Sequence, residues 1–158
     1  MQINNHVVKY PYARLTGVTQ FMNFVREPGW KPDRVNVDLL KTLDIAKGKE
    51  SEAVYTLKFL GVIDDDGTPT DQFDSLKQDY TGTMKKLVLE KYKEVFKLIP
   101  PTMVNQLRLV KFFSPSVETA EYRAKLFAWF CEQAGIELPN LEKHFHRARF
   151  DKKNKQTA

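Results

Sequence analysis

Apolar residues recur at helical spacing along most of the chain. Leu15, Val18, Phe21, Met22 and Val25 share one face of a helix over 15–26, and Pro28-Gly29 ends it. Residues 1–14, with Tyr10-Pro11-Tyr12, read as an extended arm, because a proline biases its predecessor away from helix. Asn36 is an N-cap for a short helix to Leu43, with Val35 as its staple and Leu39, Leu40 and Leu43 turned inward. A turn over 46–50 precedes a helix to Leu60, with Ala53, Val54, Leu57 and Leu60 on one face and Gly61 as its stop. Val62-Ile63 is a short strand signal, Asp64-Asp65-Asp66-Gly67 a turn, and Thr68-Pro69-Thr70 the return. Thr70 caps a brief helix at 71–77.

The second half is more plainly helical. Thr81 or Thr83 starts a helix through Ile99, carrying Met84, Leu87, Val88, Tyr92, Val95, Phe96 and Ile99 as one stripe. Pro100-Pro101 ends it. Residues 103–113 form the next helix, and Ser114-Pro115-Ser116 breaks the chain before another at 117–134. That last helix has Ala120, Ala124, Phe127, Phe130, Cys131 and Ala134 on one face. Leu126 and Trp129 widen it, so burial over much of its circumference is expected.

Helix, helix, turn, helix, short strand, Asp-Gly turn and return is the order of a winged helix-turn-helix. The expected fold is mainly α: a winged-helix-like first half with a small β-wing at 62–70, and a helical-bundle second half. The expected divisions are 1–79, 80–142 and a basic tail at 143–158. The run Leu57-Lys58-Phe59-Leu60-Gly61-Val62-Ile63-Asp64-Asp65-Asp66-Gly67-Thr68-Pro69-Thr70, after Asp38-Leu39-Leu40, resembles a bacterial family known only as a domain of unknown function. Tyr92-Lys93-Glu94-Val95-Phe96 and Lys125-Leu126-Phe127-Ala128-Trp129-Phe130-Cys131 extend the likeness over about residues 12–135. The resemblance implies a winged-helix-like half joined to a helical half and a structural or protein-facing role for the acidic wing. It carries over no catalytic residue.

The net charge of +5 changes the picture only when it is located. Residues 1–142 hold 19 Lys and Arg against 19 Asp and Glu; residues 143–158 hold six cations against Asp151 alone. Polyanion contact therefore belongs first to the tail, where Lys143, Arg147, Arg149, Lys152 and Lys153 interleave with Phe145 and Phe150. The bland reading is a frayed, solvated terminus, or a last helix that packs Leu141, Phe145 and Ala148 on the body. In the body, Lys47 and Lys49 precede the third helix and Lys58 lies on it. Glu52, Asp64, Asp65 and Asp66 repel phosphate, so they point instead to a protein-facing surface.

No enzymatic reaction is indicated. The acidic turn lacks the distributed ligands and closing Glu of an EF-hand. His144 and His146 are two apart and so do not share a helix face. Only Cys131 and His6 could join them, so no metal site is expected. Cys131 sits in an apolar helix and reads as structural. Phosphate-loop, dinucleotide, zinc-protease and serine-hydrolase motifs are absent. No cofactor, small-molecule substrate or membrane span is expected, and one cysteine fits a reducing cytoplasm. Two functions stay open. One is a non-enzymatic nucleic-acid-associated regulatory protein, DNA being the first expectation. The other is an adaptor module that binds a protein partner or a second copy.

Overall fold

A computed structural model of the chain describes residues 8–114, 117–143 and 145. Among these the chain is mainly helical: α1 (Leu15–Val25), α2 (Val37–Thr42), α3 (Glu50–Leu60), α4 (Asp71–Gln78), α5 (Tyr80–Lys91), α6 (Lys93–Leu98), α7 (Gln106–Phe113) and α8 (Val117–Gln133). A short 3-10 turn, Pro101–Met103, precedes α7. Local chemistry sets most of the boundaries. The Asn36 side chain accepts from the Leu39 N–H, Thr70 from Gln72 and Asn105 from Arg108, each satisfying an orphan helix donor. Gly61 closes α3 at φ 81°, a conformation that costs glycine nothing.

The helices enclose a single cluster of buried apolar residues running from Ala13 to Phe145. α8 is its axis: Ala120, Ala124 and every residue from Leu126 to Cys131 are buried, and α1, α5 and α7 pack around it. Two aromatic groups fill the core. Phe21, Phe24 and Phe73 surround Trp30, binding the loop after α1 to α4. Tyr92 is fully buried among Tyr10, Phe59, Phe127 and Phe130, which joins the arm, α3, α5 and α8. Aromatic pairs at these separations add to the burial term.

Three expectations are corrected. The β-wing is absent: among the described residues there is no strand, only one antiparallel bridge between Ile63 and Pro69. Pro69 has no N–H to extend a ladder. Thr70 turns at once into α4, its hydroxyl bonded to the Gly61 and Val62 carbonyls. The helix expected to run unbroken to Ile99 divides at Tyr92 (φ −112°, ψ 25°), the residue whose ring is the hub of the second aromatic group. Finally, α7 starts at Gln106, because Pro101 opens a 3-10 turn and Asn105 takes the cap.

Candidate functional site

The third helix is not displayed as a groove-reading helix would be. Ala53, Val54, Thr56, Leu57 and Leu60 are buried, and α1, α2 and α5 pack against it. On its outer side the Tyr55 hydroxyl donates to the Lys9 carbonyl, so the N-terminal arm lies along that face. Lys47 and Lys49 are exposed before α3, and Lys58 is half-buried in its last turn. Lys49 and Lys58 stand at opposite ends of the helix, about 14 Å apart at 1.5 Å per residue. Lys49 also spends charge on Glu52, at 3.9 Å. The structure does not gather these three lysines.

The acidic residues are likewise divided. Glu52 is in the first turn of α3, whereas Asp64, Asp65 and Asp66 follow its last turn. Asp64 Oδ1 accepts from the N–H groups of Asp66 (3.1 Å) and Thr68 (2.9 Å). Asp66 Oδ1 accepts from the Thr68 N–H (3.0 Å) and hydroxyl (2.7 Å). Hydrogen bonding with the Asp64 side chain, then the bonds donated by Thr68, push the Asp66 carboxyl down to about 2. These carboxylates satisfy the turn's own backbone. Among the described residues no three His, Cys, Asp or Glu side chains converge as a metal-binding group. Burial pushes the Cys131 thiol up, which suppresses the reactive thiolate.

A different segment of the chain collects positive charge. Residues 80–113, which carry α5, α6 and α7, hold seven Lys or Arg against two Glu, while residues 27–79 hold seven against twelve Asp or Glu. The neutral sum over the body conceals two oppositely charged segments. Lys85, Lys86, Lys93, Lys97, Arg108 and Lys111 are exposed, and Lys91 is half-buried. Lys97 pairs with Glu94 at 3.7 Å, and Arg108 donates to the Met103 carbonyl. Lys85, Lys86, Lys91, Lys93 and Lys111 make no ion pair among the described residues.

Beside these helices lies an open cleft of about 1090 Å³. Val8, Lys9 and Tyr10 of the arm form one wall; Glu90, Lys91, Lys93, Glu94 and Leu98 form another; Phe112, Phe113 and Ser114 at the end of α7 form the third. Phe59 and Arg123 complete the lining. The arm is anchored rather than draped: Arg123 Nε donates to the Tyr10 carbonyl at 2.9 Å, and the Tyr10 ring stacks on Tyr92 at 5.3 Å. The result is a fixed aromatic floor with cations on its rim. Sequence reading missed these residues because charge was summed over the whole body; a count by segment would have found α5–α7.

Lys143 is exposed at the end of the described body. Arg147, Arg149, Lys152 and Lys153, together with Ser116, His144, His146, Ala148 and Phe150, lie outside the described residues. Phe145 is buried, with Lys125 Nζ 5.8 Å from its ring centre, so it packs on the body. Among the described residues no helix is long and apolar enough to cross a membrane. The family model that matches, over residues 11–136, is that of a family of unknown function, DUF5343. No curated protein and no solved structure matches the chain.

Proposed function

Starting from a chain that belongs to DUF5343, a family of unknown function, we propose a non-enzymatic nucleic-acid-binding protein that seats the phosphate backbone on α5–α7. The carrying observation is the segregation of charge, seven cations against two carboxylates in residues 80–113, with five lysines there that make no ion pair among the described residues. Unpaired, exposed ammonium groups release counterions from a polyanion without first breaking an internal ion pair. The tail, with Lys143 at its start, is a second and less specific contact. A regulatory role in a reducing cytoplasm goes with this reading; the lone, buried cysteine is compatible with it.

The test is fluorescence anisotropy of labelled duplex and single-stranded oligonucleotides across a salt series. Three proteins are compared: the full chain, a chain ending at Phe145 so that this buried ring is kept, and the Lys86→Glu/Lys93→Glu variant. Four phosphate contacts would give a log–log salt slope of about −3.6 on a duplex and about −2.8 on a single strand. The shortened chain should bind more weakly but retain salt-sensitive affinity, and the double charge reversal should lower affinity at least tenfold. No salt-sensitive binding by the full chain would end this reading. Binding abolished by the truncation and untouched by the charge reversal would assign it to the tail alone.

An adaptor function is favoured by one observation. Leu98 (71% exposed), Met103 and Leu107 (63% exposed) form apolar exposures on either side of the α6–α7 connection. Sedimentation of the pure protein would separate the readings: reversible self-association lost in Leu98→Ser/Leu107→Ser supports the adaptor, and a strict monomer removes a second copy as partner.

A further inference from the structure

We infer that the cleft beside α5–α7 takes a single-stranded stretch of nucleic acid, with bases against Tyr10 and Phe112 and phosphates on Lys9, Lys91 and Lys93. This rests on the reading that α5–α7 is the nucleic-acid face, and it adds which form of nucleic acid is held and where. The rim is complementary to a polyanion. Lys9, Lys91 and Lys93 border the cleft without an ion pair among the described residues, while the cleft's Glu94 is already held by Lys97. Glu90 remains as an acceptor for an exocyclic amino group, the hydrogen bond a carboxylate makes to a base edge.

The floor distinguishes a strand from a duplex. Tyr10, Phe59 and Phe112 are only half-buried and line the cleft. Base faces stack on such rings, and only an unpaired strand can present them, because a duplex hides its base faces in its own stack. A duplex reader needs a helix or ribbon that enters a groove. Here the arm is tied to α3 through Tyr55 and Lys9, and among the described residues there is no β-wing. The same arm builds the cleft wall, and Arg123 fixes it before any ligand arrives. That preorganisation lowers the ordering cost of binding.

The experiment uses the full chain with labelled oligothymidylate, oligouridylate and a duplex of the same length, at one salt concentration and then across a series. The single strands should bind at least tenfold more tightly than the duplex. Phe112→Leu, which keeps an apolar group in place, should weaken strand binding roughly 5- to 150-fold without changing the salt slope. Lys93→Glu should weaken it and flatten the slope, whereas Lys85→Glu, outside the cleft lining, should do less. Lys93 is exposed, so its variant keeps the test decisive if Phe112→Leu fails to fold. Equal or tighter duplex binding would overturn the single-strand inference and leave nucleic-acid binding standing. Strand binding indifferent to both Phe112→Leu and Lys93→Glu would remove the cleft as its site. Absence of binding to all three probes would overturn both readings.

Discussion

Individual residues carry much of the first half's geometry. Gly67 sits at φ 91°, and a Cβ there would overlap the Val35 carbonyl oxygen. Its own carbonyl accepts from the Val35 N–H at 2.8 Å, so the turn is locked to the segment before α2. Gly67→Ala should therefore lower stability by more than the ~1–2 kcal/mol of the backbone conformation alone; an unchanged melting temperature would contradict the packing. Asp66 titrates with the same turn. Its folded value is depressed from 3.8 to about 2, so its contribution is present above pH ~4 and is lost as pH falls toward 2. A carboxyl NMR titration should place its midpoint near 2, and a midpoint near 4 would dissolve the Asp64–Asp66–Thr68 network. Tyr92 is a contrasting residue: its hydroxyl is buried with no hydrogen-bond partner among the described residues. A buried orphan costs about 1–3 kcal/mol, so Tyr92→Phe should hold stability constant or raise it. A loss above 1 kcal/mol in urea denaturation would show that the hydroxyl is satisfied.

At the scale of elements, cross-chain contacts finish what local signals start. The end of α1 is closed from α4: Lys77 Nζ donates to the Val25 and Glu27 carbonyls, both at 2.6 Å. Burial lowers the Lys77 ammonium's affinity for its proton, and the Asp74 and Glu27 carboxylates oppose that shift. Lys77→Met keeps the aliphatic stem and removes the donors. It should cost about 1–2 kcal/mol and raise amide exchange selectively at the end of α1; uniform exchange would show that the cap is dispensable. The caps at Asn36, Thr70 and Gly61 and the apolar faces of α1, α3 and α8 were legible in the sequence because each depends on neighbours within one or two turns. The wing was misread because its return arm has only Thr68 and Pro69 before Thr70 becomes a helix cap. The break at Tyr92 left no periodic trace, since Val88, Tyr92 and Val95 keep helical spacing on both sides of it. The cleft was illegible for another reason: its walls are the arm, α5–α6 and the end of α7, and the arm lies far along the chain from the other two, so only the tertiary fold assembles them.

Over the whole molecule, charge is divided unevenly between chain segments. Residues 27–79 carry an acidic excess of five and residues 80–113 a basic excess of five, on helices that share one core. A polyanion approaching such a body is drawn to α5–α7 and repelled from the turn of Asp64, Asp65 and Asp66. Contact should therefore be confined to one side, with the tail adding affinity rather than choosing the place. The most direct measurement is an amide chemical-shift titration of the isotope-labelled full chain with oligothymidylate. The perturbed resonances should concentrate in Lys9 and Tyr10, in Lys85 to Lys97 and in Arg108 to Phe113, and leave Lys47 to Asp66 unmoved. Perturbations centred on α3 and the Asp64–Asp66 turn, or confined to the residues after Glu142, would contradict a nucleic-acid face on α5–α7.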